Sequence, residues 1–231
     1  MWKFIRRTII VIVLVLLCAI GYIIYEGYSM YQNAISMVDI EEKVNNLRSL
    51  DNYTKIDDVT KMYKDAVVAI EDHRFYEHPG FDFIATVRAI LANIADKEFS
   101  QGGSTISQQL AKNLYFSQEK KMTRKVAELF VVMDLEKNYS KDDILELYMN
   151  TIYYGRGYYG IHDACNGFFK KLPNELTDYE ATYLAGIPNA PSIYSSEKYS
   201  ELAKKRHKQV LNAMVRYGDL TQEEADRIYN E

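Results

Sequence analysis

Cysteine is nearly missing from this chain. Only Cys18 and Cys165 occur, one inside an apolar N-terminal run and the other far downstream, so no disulfide framework holds the fold together. A large excess of either charge is missing too. The net charge of −4 is mild, and bulk charge therefore implies no nucleic-acid partner. No stretch alternates apolar and polar residues as a half-buried strand does, and no internal repeat occurs, which predicts an all-α domain. His73 and His78 stand five apart beside Glu71, Asp72 and Asp82, but no HExxH motif or Cys/His set accompanies them, so a metal ligated by the chain is not expected. Ser117-x-x-Lys120 and Ser195-x-x-Lys198 have the spacing of a serine nucleophile and its lysine. Without a Lys-Thr-Gly or Ser-Asp-Asn partner motif, both read as chance.

What is present begins with a membrane signal. Lys3, Arg6 and Arg7 precede Thr8 to Tyr25, eighteen residues without a charge. At 1.5 Å per residue that run spans about 27 Å, close to a bilayer's hydrocarbon core. The positive flank puts the N-terminus in the cytoplasm and the rest outside. A cleaved signal peptide is the rival, but no small-x-small site ends the run and Leu17 precedes Cys18 where a lipoprotein signal needs a small residue. The chain therefore divides into a cytoplasmic tail at 1–7, a transmembrane helix at 8–25, a stalk or membrane-proximal segment at 26–55 and one soluble domain at 56–231. The stalk carries only scattered apolar residues, Met30, Ala34, Met37 and Val38 among them, and reads more readily as a spacer than as a packed helix.

The densest chemistry lies in Glu71 to Asp82. Val59, Met62, Tyr63, Ala66, Val67 and Ile70 have the spacing of a helix with one buried face, and Glu71 ends it on the apolar side. An apolar flank at a helix C-terminus is a setting in which a glutamate serves as general base or acid, although a boundary residue paired with Arg74 would look the same. Phe81 to Ala95 reads as a further helix and Lys97 to Gln101 as a polar break. Gly102-Gly103-Ser104 then leads into a capping box at Thr105-x-x-Gln108, opening a helix with Thr105, Gln109 and Lys112 on one stripe and Asn113 beside it. Such a helix start suits an anion, but no Gly-Lys-Ser/Thr of a P-loop follows, and an ordinary capped surface helix is the simpler account of the spacing alone.

A charged run containing Lys120, Lys121, Arg124 and Lys125 precedes a helix from about Thr123 to Asn138, in which Glu128 shares a side with Val132 and Leu135. Basic residues flanking two semi-buried glutamates point to an anionic ligand such as a phosphate. Helices are further expected at Lys141–Asn150, Tyr179–Ile187, Tyr199–Tyr217 and Glu223–Asn230. Thr151 to Gly160 holds three glycines and four tyrosines, a loop whose rings could stack on sugars or simply pack. Carboxyl groups beside a cationic cluster suit chemistry at a sugar carbon with a phosphate leaving group. A glycan-cutting hydrolase and a non-catalytic membrane scaffold remain as alternatives, though neither calls for the basic cluster beside both glutamates.

Five stretches in order together resemble glycosyltransferase family 51, the peptidoglycan glycosyltransferases, in its single-domain form. They are Glu71-Asp72-His73-Arg74-Phe75-x-x-His78-x-Gly80; Gly102-Gly103-Ser104-Thr105-Ile106-Ser107-Gln108-Gln109-Leu110-Ala111-Lys112-Asn113; Arg124-Lys125-x-x-Glu128; Ile144-Leu145-Glu146-x-Tyr148-Met149-Asn150 with Gly155 and Gly160; and Ala185-Gly186-Ile187-Pro188-x-x-Pro191 with Tyr194. Ser107 and Met149 depart from the usual threonine and leucine. The resemblance implies a lysozyme-like helical fold with a cleft and a smaller membrane-proximal lobe. It implies that lipid II and a growing glycan chain are the substrates, with Glu71 as base and Glu128 orienting the cations or assisting at the donor. Lys112, Arg124 and Lys125 would hold pyrophosphate, and Asp72, Phe75, His78, Thr105, Gln109 and Asn113 would line the cleft. It implies no obligatory cofactor and leaves open Mg2+ or Mn2+ on the pyrophosphate. The membrane is an implied partner, and other cell-wall synthesis proteins are left open as further ones.

Overall fold

The computed structural model describes residues 2–84, 103–117, 121–196 and 200–231, without the side chain of Lys3. The expected helix Phe81–Ala95 beyond Ile84, the polar break at 97–101, Gly102, Lys120 and Lys198 lie outside these residues. Eleven α-helices follow one another within them: α1 (Trp2–Met37), α2 (Ile40–Arg48), α3 (Lys61–Glu71), α4 (Ile106–Tyr115), α5 (Met122–Asn138), α6 (Lys141–Thr151), α7 (Ile161–Phe169), α8 (Asp178–Gly186), α9 (Pro191–Tyr194), α10 (Ser200–Tyr217) and α11 (Gln222–Tyr229). The all-α expectation holds; the described residues contain no strand, only an isolated antiparallel bridge between Tyr153 and Tyr159.

Local sequence fixes where the helices start. Thr105, Ser140, Thr177 and Thr221 each close a capping box with the residue three positions on, satisfying two otherwise orphaned N–H groups per helix. α3, α8 and α10 pack on one another, α4 packs on both α5 and α6, and α1 lies along α5. One apolar core joins them, from Tyr31 and Tyr63 through Leu110, Leu135 and Tyr148 to Met214. Tyr63 and Tyr154 are fully buried and share a hydrogen bond between their hydroxyls, so one ring of the tyrosine-rich loop is packing. Tyr159 remains exposed and lies against Tyr153.

α1 carries a stretch long and apolar enough to cross a membrane, with a mean hydropathy of 2.9 over its best window and none of that window buried. The helix does not end with the apolar run. It continues to Met37, and its last turns bury Gly27 and Tyr31 against α5; Tyr31 donates to Asp134, and α2 adds Ile40 and Val44 to the core. The segment that reads as a spacer is therefore packed. The sequence pattern is deceptive because a stripe one or two residues wide suffices to cover α5, and its members include a glycine and a tyrosine hydroxyl.

The C-terminal helices close over a buried histidine. His207 is 1% exposed, its Nε2 lies 2.8 Å from Thr182 Oγ1, and the rings of Tyr179, Tyr183 and Tyr229 surround it. Thr182 already donates to the Asp178 carbonyl, so it accepts from the imidazole. Burial lowers the His207 pKa to about 4. In the unfolded chain the same group takes a proton near 6.5. The unfolded state then binds more protons between those values, so the contribution is complete above about pH 6.5 and drains away as pH falls towards 4. Stability at pH 4.5 is expected to be about 2–3 kcal/mol lower on this account alone. Urea unfolding of the protein and of His207→Gln at pH 7.5 and 4.5 checks it: the variant should lose most of that pH-dependent difference.

Candidate active site

A cleft of about 650 Å³ opens between the C-terminal end of α3, the starts of α4 and α5, and the polar face of α10. Glu71, the last residue of α3, reaches into it with a side chain only 10% exposed. Gln109 Nε2 on α4 donates to Glu71 Oε2 at 2.8 Å, and Arg206 Nη2 on α10 donates to Oε1 at 3.2 Å. Arg206 is itself held by donation from Nε to the Gly186 carbonyl, and Tyr148 places the Gln109 amide by donating to its oxygen at 3.5 Å. The carboxylate is thus fixed from two sides, while the cleft remains open to one face of it.

The loop after α3 is tied to the start of α4. Asp72 accepts the Ile106 N–H at 3.1 Å, placing a carboxylate at the positive end of that helix. His78 accepts the Gly80 N–H at Nδ1, so its Nε2 carries the proton and donates to Asp72 at 2.9 Å. Thr105 donates to the Gly80 carbonyl at 2.8 Å. Gly80 itself has φ +87°, and a Cβ there would meet Val132 Cγ1 at 2.4 Å, so no other residue fits. Asp72, His78 and Asp82 bring ligand atoms within 4.8 Å of one another. Asp72 is already committed to His78 and the helix start, and Asp82 to Arg74, so these groups are spoken for by the fold.

The cations gather opposite Glu71. Lys112 on α4 and Lys125 on α5 line the cleft. Arg124 lies behind them, 8% exposed, paired with Glu128. Glu128 is fully buried, and its Oε2 stands 2.8 Å from Lys125 Nζ. Lys125 also donates to Ser104 Oγ at 3.3 Å, while Lys112 makes no hydrogen bond or ion pair among the described residues. Burial first, then Arg124, lowers the Lys112 pKa against the opposing pull of Glu71. Burial, Arg124 and Lys112 together bring Lys125 down to about 8. Arg124 and Lys125 on one buried carboxylate, with Lys112 beside them, make this side of the cleft locally positive, the electrostatics of an anion site.

Of the residues named from sequence, Glu71, Asp72, Thr105, Gln109, Lys112 and Lys125 meet in this cleft. Phe75 does not: it is fully buried, with Lys141 Nζ 4.6 Å over its ring. His78 and Asn113 also lie off the cleft lining, His78 as the strut described above and Asn113 half-buried on another side of α4. Arg124 and Glu128 stand behind the wall rather than in it. Sequence reasoning missed the whole α10 wall, including Arg206, Gln209, Asn212, Arg216 and Tyr217, the last stacked on His73 at 4.1 Å. A signal existed. Positions 206, 209, 213 and 216 repeat at helical spacing beside the buried stripe of Ala203, His207, Val210 and Met214, and two of them are arginines.

The model of the family described as Transglycosylase matches residues 40–215. The chain belongs to this transglycosylase family. Members similar to it include Penicillin-binding protein 1A of Neisseria flavescens, 45% identical over 78% of this chain and 22% of that protein. Penicillin-binding protein 2D of Bacillus subtilis is 47% identical over 72% of this chain and 24% of its own length. A Cupriavidus necator protein described only as a candidate transglycosylase is 44% identical over 78% of this chain and 77% of its own. The chain thus spans less than a quarter of each of these two penicillin-binding proteins. The crystal structure of Penicillin-Binding Protein 1A from Haemophilus influenzae overlaps 78% of this chain and 17% of that chain at 22% identity and a TM-score of 0.43.

Proposed function

We propose that this transglycosylase-family chain is a peptidoglycan glycosyltransferase that polymerises lipid II into β-1,4-linked glycan strands. The observation that carries this is the placing of Glu71, a carboxylate held from two sides, across one cleft from Lys112 and Lys125. Glu71 takes the proton from the 4-hydroxyl of the acceptor's N-acetylglucosamine. That oxygen forms a bond to the anomeric carbon of the terminal N-acetylmuramic acid on the growing chain. The bond from that carbon to the phosphate oxygen breaks, its electron pair leaves with undecaprenyl pyrophosphate, and configuration inverts. Lys112 and Lys125 receive the developing charge, Arg124 adds to their field, and Glu128 orients the cations from behind. A hydrolase would need water at the sugar carbon and an acid for the leaving oxygen; the cations serve a leaving group that is already an anion.

In this reading α1 anchors the protein in the cell membrane as a single pass, with Lys3, Arg6 and Arg7 on the cytoplasmic side and the catalytic domain outside. The lipid-linked substrate shares that surface, so tethering raises effective concentration. Other cell-wall synthesis proteins are candidate partners. The test is incubation of the purified chain with lipid II and gel separation of products, with Mg2+, with Mn2+ and with chelator. A polymer ladder supports the reading, and its dependence on metal decides whether a cation on the pyrophosphate takes part. Wild-type protein that makes no ladder, or shortens added glycan, overturns it.

Lys125 supplies a pH signature. It is cationic below about pH 8 and loses its charge as pH rises through that value. Affinity for inorganic pyrophosphate is expected to fall as pH rises above 8 in titration calorimetry, and Lys125→Arg should flatten that decline because a guanidinium stays charged.

A further inference from the structure

The last turns of α1 pack on the very turn of α5 that bears the cleft cations. Gly27 is buried there, and a Cβ on it would meet Val126 Cβ at 2.5 Å, Val126 Cγ1 at 2.6 Å and the Thr123 carbonyl oxygen at 2.9 Å. Non-bonded carbons rest at about 3.5–4.0 Å, so the missing side chain sets how closely the two helices approach. Arg124 and Lys125 lie between Thr123 and Val126 in sequence, on the side of the turn facing away from α1. One turn along α1, Tyr31 donates to Asp134, and the rings of Tyr28 and Tyr31 lie 5.1 and 5.5 Å from that of Phe130. Gly21, in the apolar run, has nothing within 4 Å of where its Cβ would stand.

We propose that Gly27 and Tyr31 are positioning residues of the anion site, so that the membrane helix sets the placement of Lys125 and Arg124 as well as tethering the domain. This rests on the reading of those cations as pyrophosphate ligands. A side chain at position 27 pushes the first turn of α5 outward by roughly 1 Å. That shifts Lys125 and Arg124 relative to Ser104 and to Lys112 on α4, which does not move with them. A misplacement of about 1 Å in a group that holds a reacting centre can cost as much as 10²-fold.

The experiment uses the full chain in detergent micelles and four proteins: wild type, Gly27→Leu, Tyr31→Phe and Gly21→Leu. Each is measured for inorganic pyrophosphate affinity, for KM and kcat with lipid II, and for thermal unfolding. Gly27→Leu is expected to weaken pyrophosphate about ten-fold or more and to raise KM in parallel with a smaller change in kcat. Tyr31→Phe, which adds no bulk, shifts both in the same direction by a few-fold, roughly the worth of one hydrogen bond. Gly21→Leu matches wild type. If Gly27→Leu does not fold, Tyr31→Phe decides: wild-type pyrophosphate affinity in that variant overturns the proposal, as does wild-type affinity in a folded Gly27→Leu. An equal loss in Gly21→Leu also overturns it, because the effect then belongs to the anchor as a whole. Wild-type protein that neither binds pyrophosphate nor polymerises lipid II instead overturns the functional reading beneath it.

Discussion

Glu71→Gln is expected to lower the rate of lipid II polymerisation by about 10³-fold while the protein stays folded. The amide matches the carboxylate in shape, and its oxygen can still accept from Gln109, so the wall of α4 is undisturbed. What disappears is the ability to take a proton. Arg206 also loses its anion, and because its side chain is only 11% exposed that loss is felt inside the cleft. The signature is a fall in kcat with little change in pyrophosphate affinity, since Lys112 and Lys125 are untouched. A ladder formed at more than a tenth of the wild-type rate would remove Glu71 from the role of base. Glu128 could not simply inherit it, being fully buried and committed to Arg124 and Lys125.

The second large effect is on stability. Glu128→Ala leaves Arg124, 8% exposed, without the carboxylate it faces on the same helix, and removes the counter-charge from Lys125. Breaking a buried pair from one side costs about 3–5 kcal/mol. For a chain of this size each kcal/mol moves Tm by roughly 2–4 °C, so thermal unfolding should occur on the order of 10 °C earlier. Activity should fall as well, through cations that repel one another without their shared anchor. Glu128→Ala with an unchanged Tm would mean that Arg124 finds its stabilisation elsewhere.

Much of this was readable in the chain. Capping boxes at Thr105 and Thr221 gave helix starts to within a residue, and the apolar spacing from Val59 to Ile70 gave α3 and the position of Glu71 at its end. These are local signals, written within a turn or two. The errors fall where a residue's job is set by something distant. Phe75 and His78 sit in a charged, chemistry-rich stretch, yet one is core and the other braces Asp72, and only the packing of α4 and α6 decides that. The segment after the apolar run carries too few large apolar residues to declare itself, because a glycine and a tyrosine do the packing. Arg206 does not announce its role because its partner lies 135 residues away, and nothing near position 206 hints at a carboxylate.

That same separation has a bearing on the order of events in the life of the chain. Glu71 emerges from the ribosome well before α10, and until α10 docks the glutamate has neither its arginine nor the α10 wall of its cleft. Loop closure over such a span is among the later steps of folding. α1, which comes first, can already be lodged in the bilayer by then, next to any lipid-linked sugar. On the proposed reading the chain therefore reaches the membrane with its site unfinished, and completes it only when the last third of the sequence has arrived.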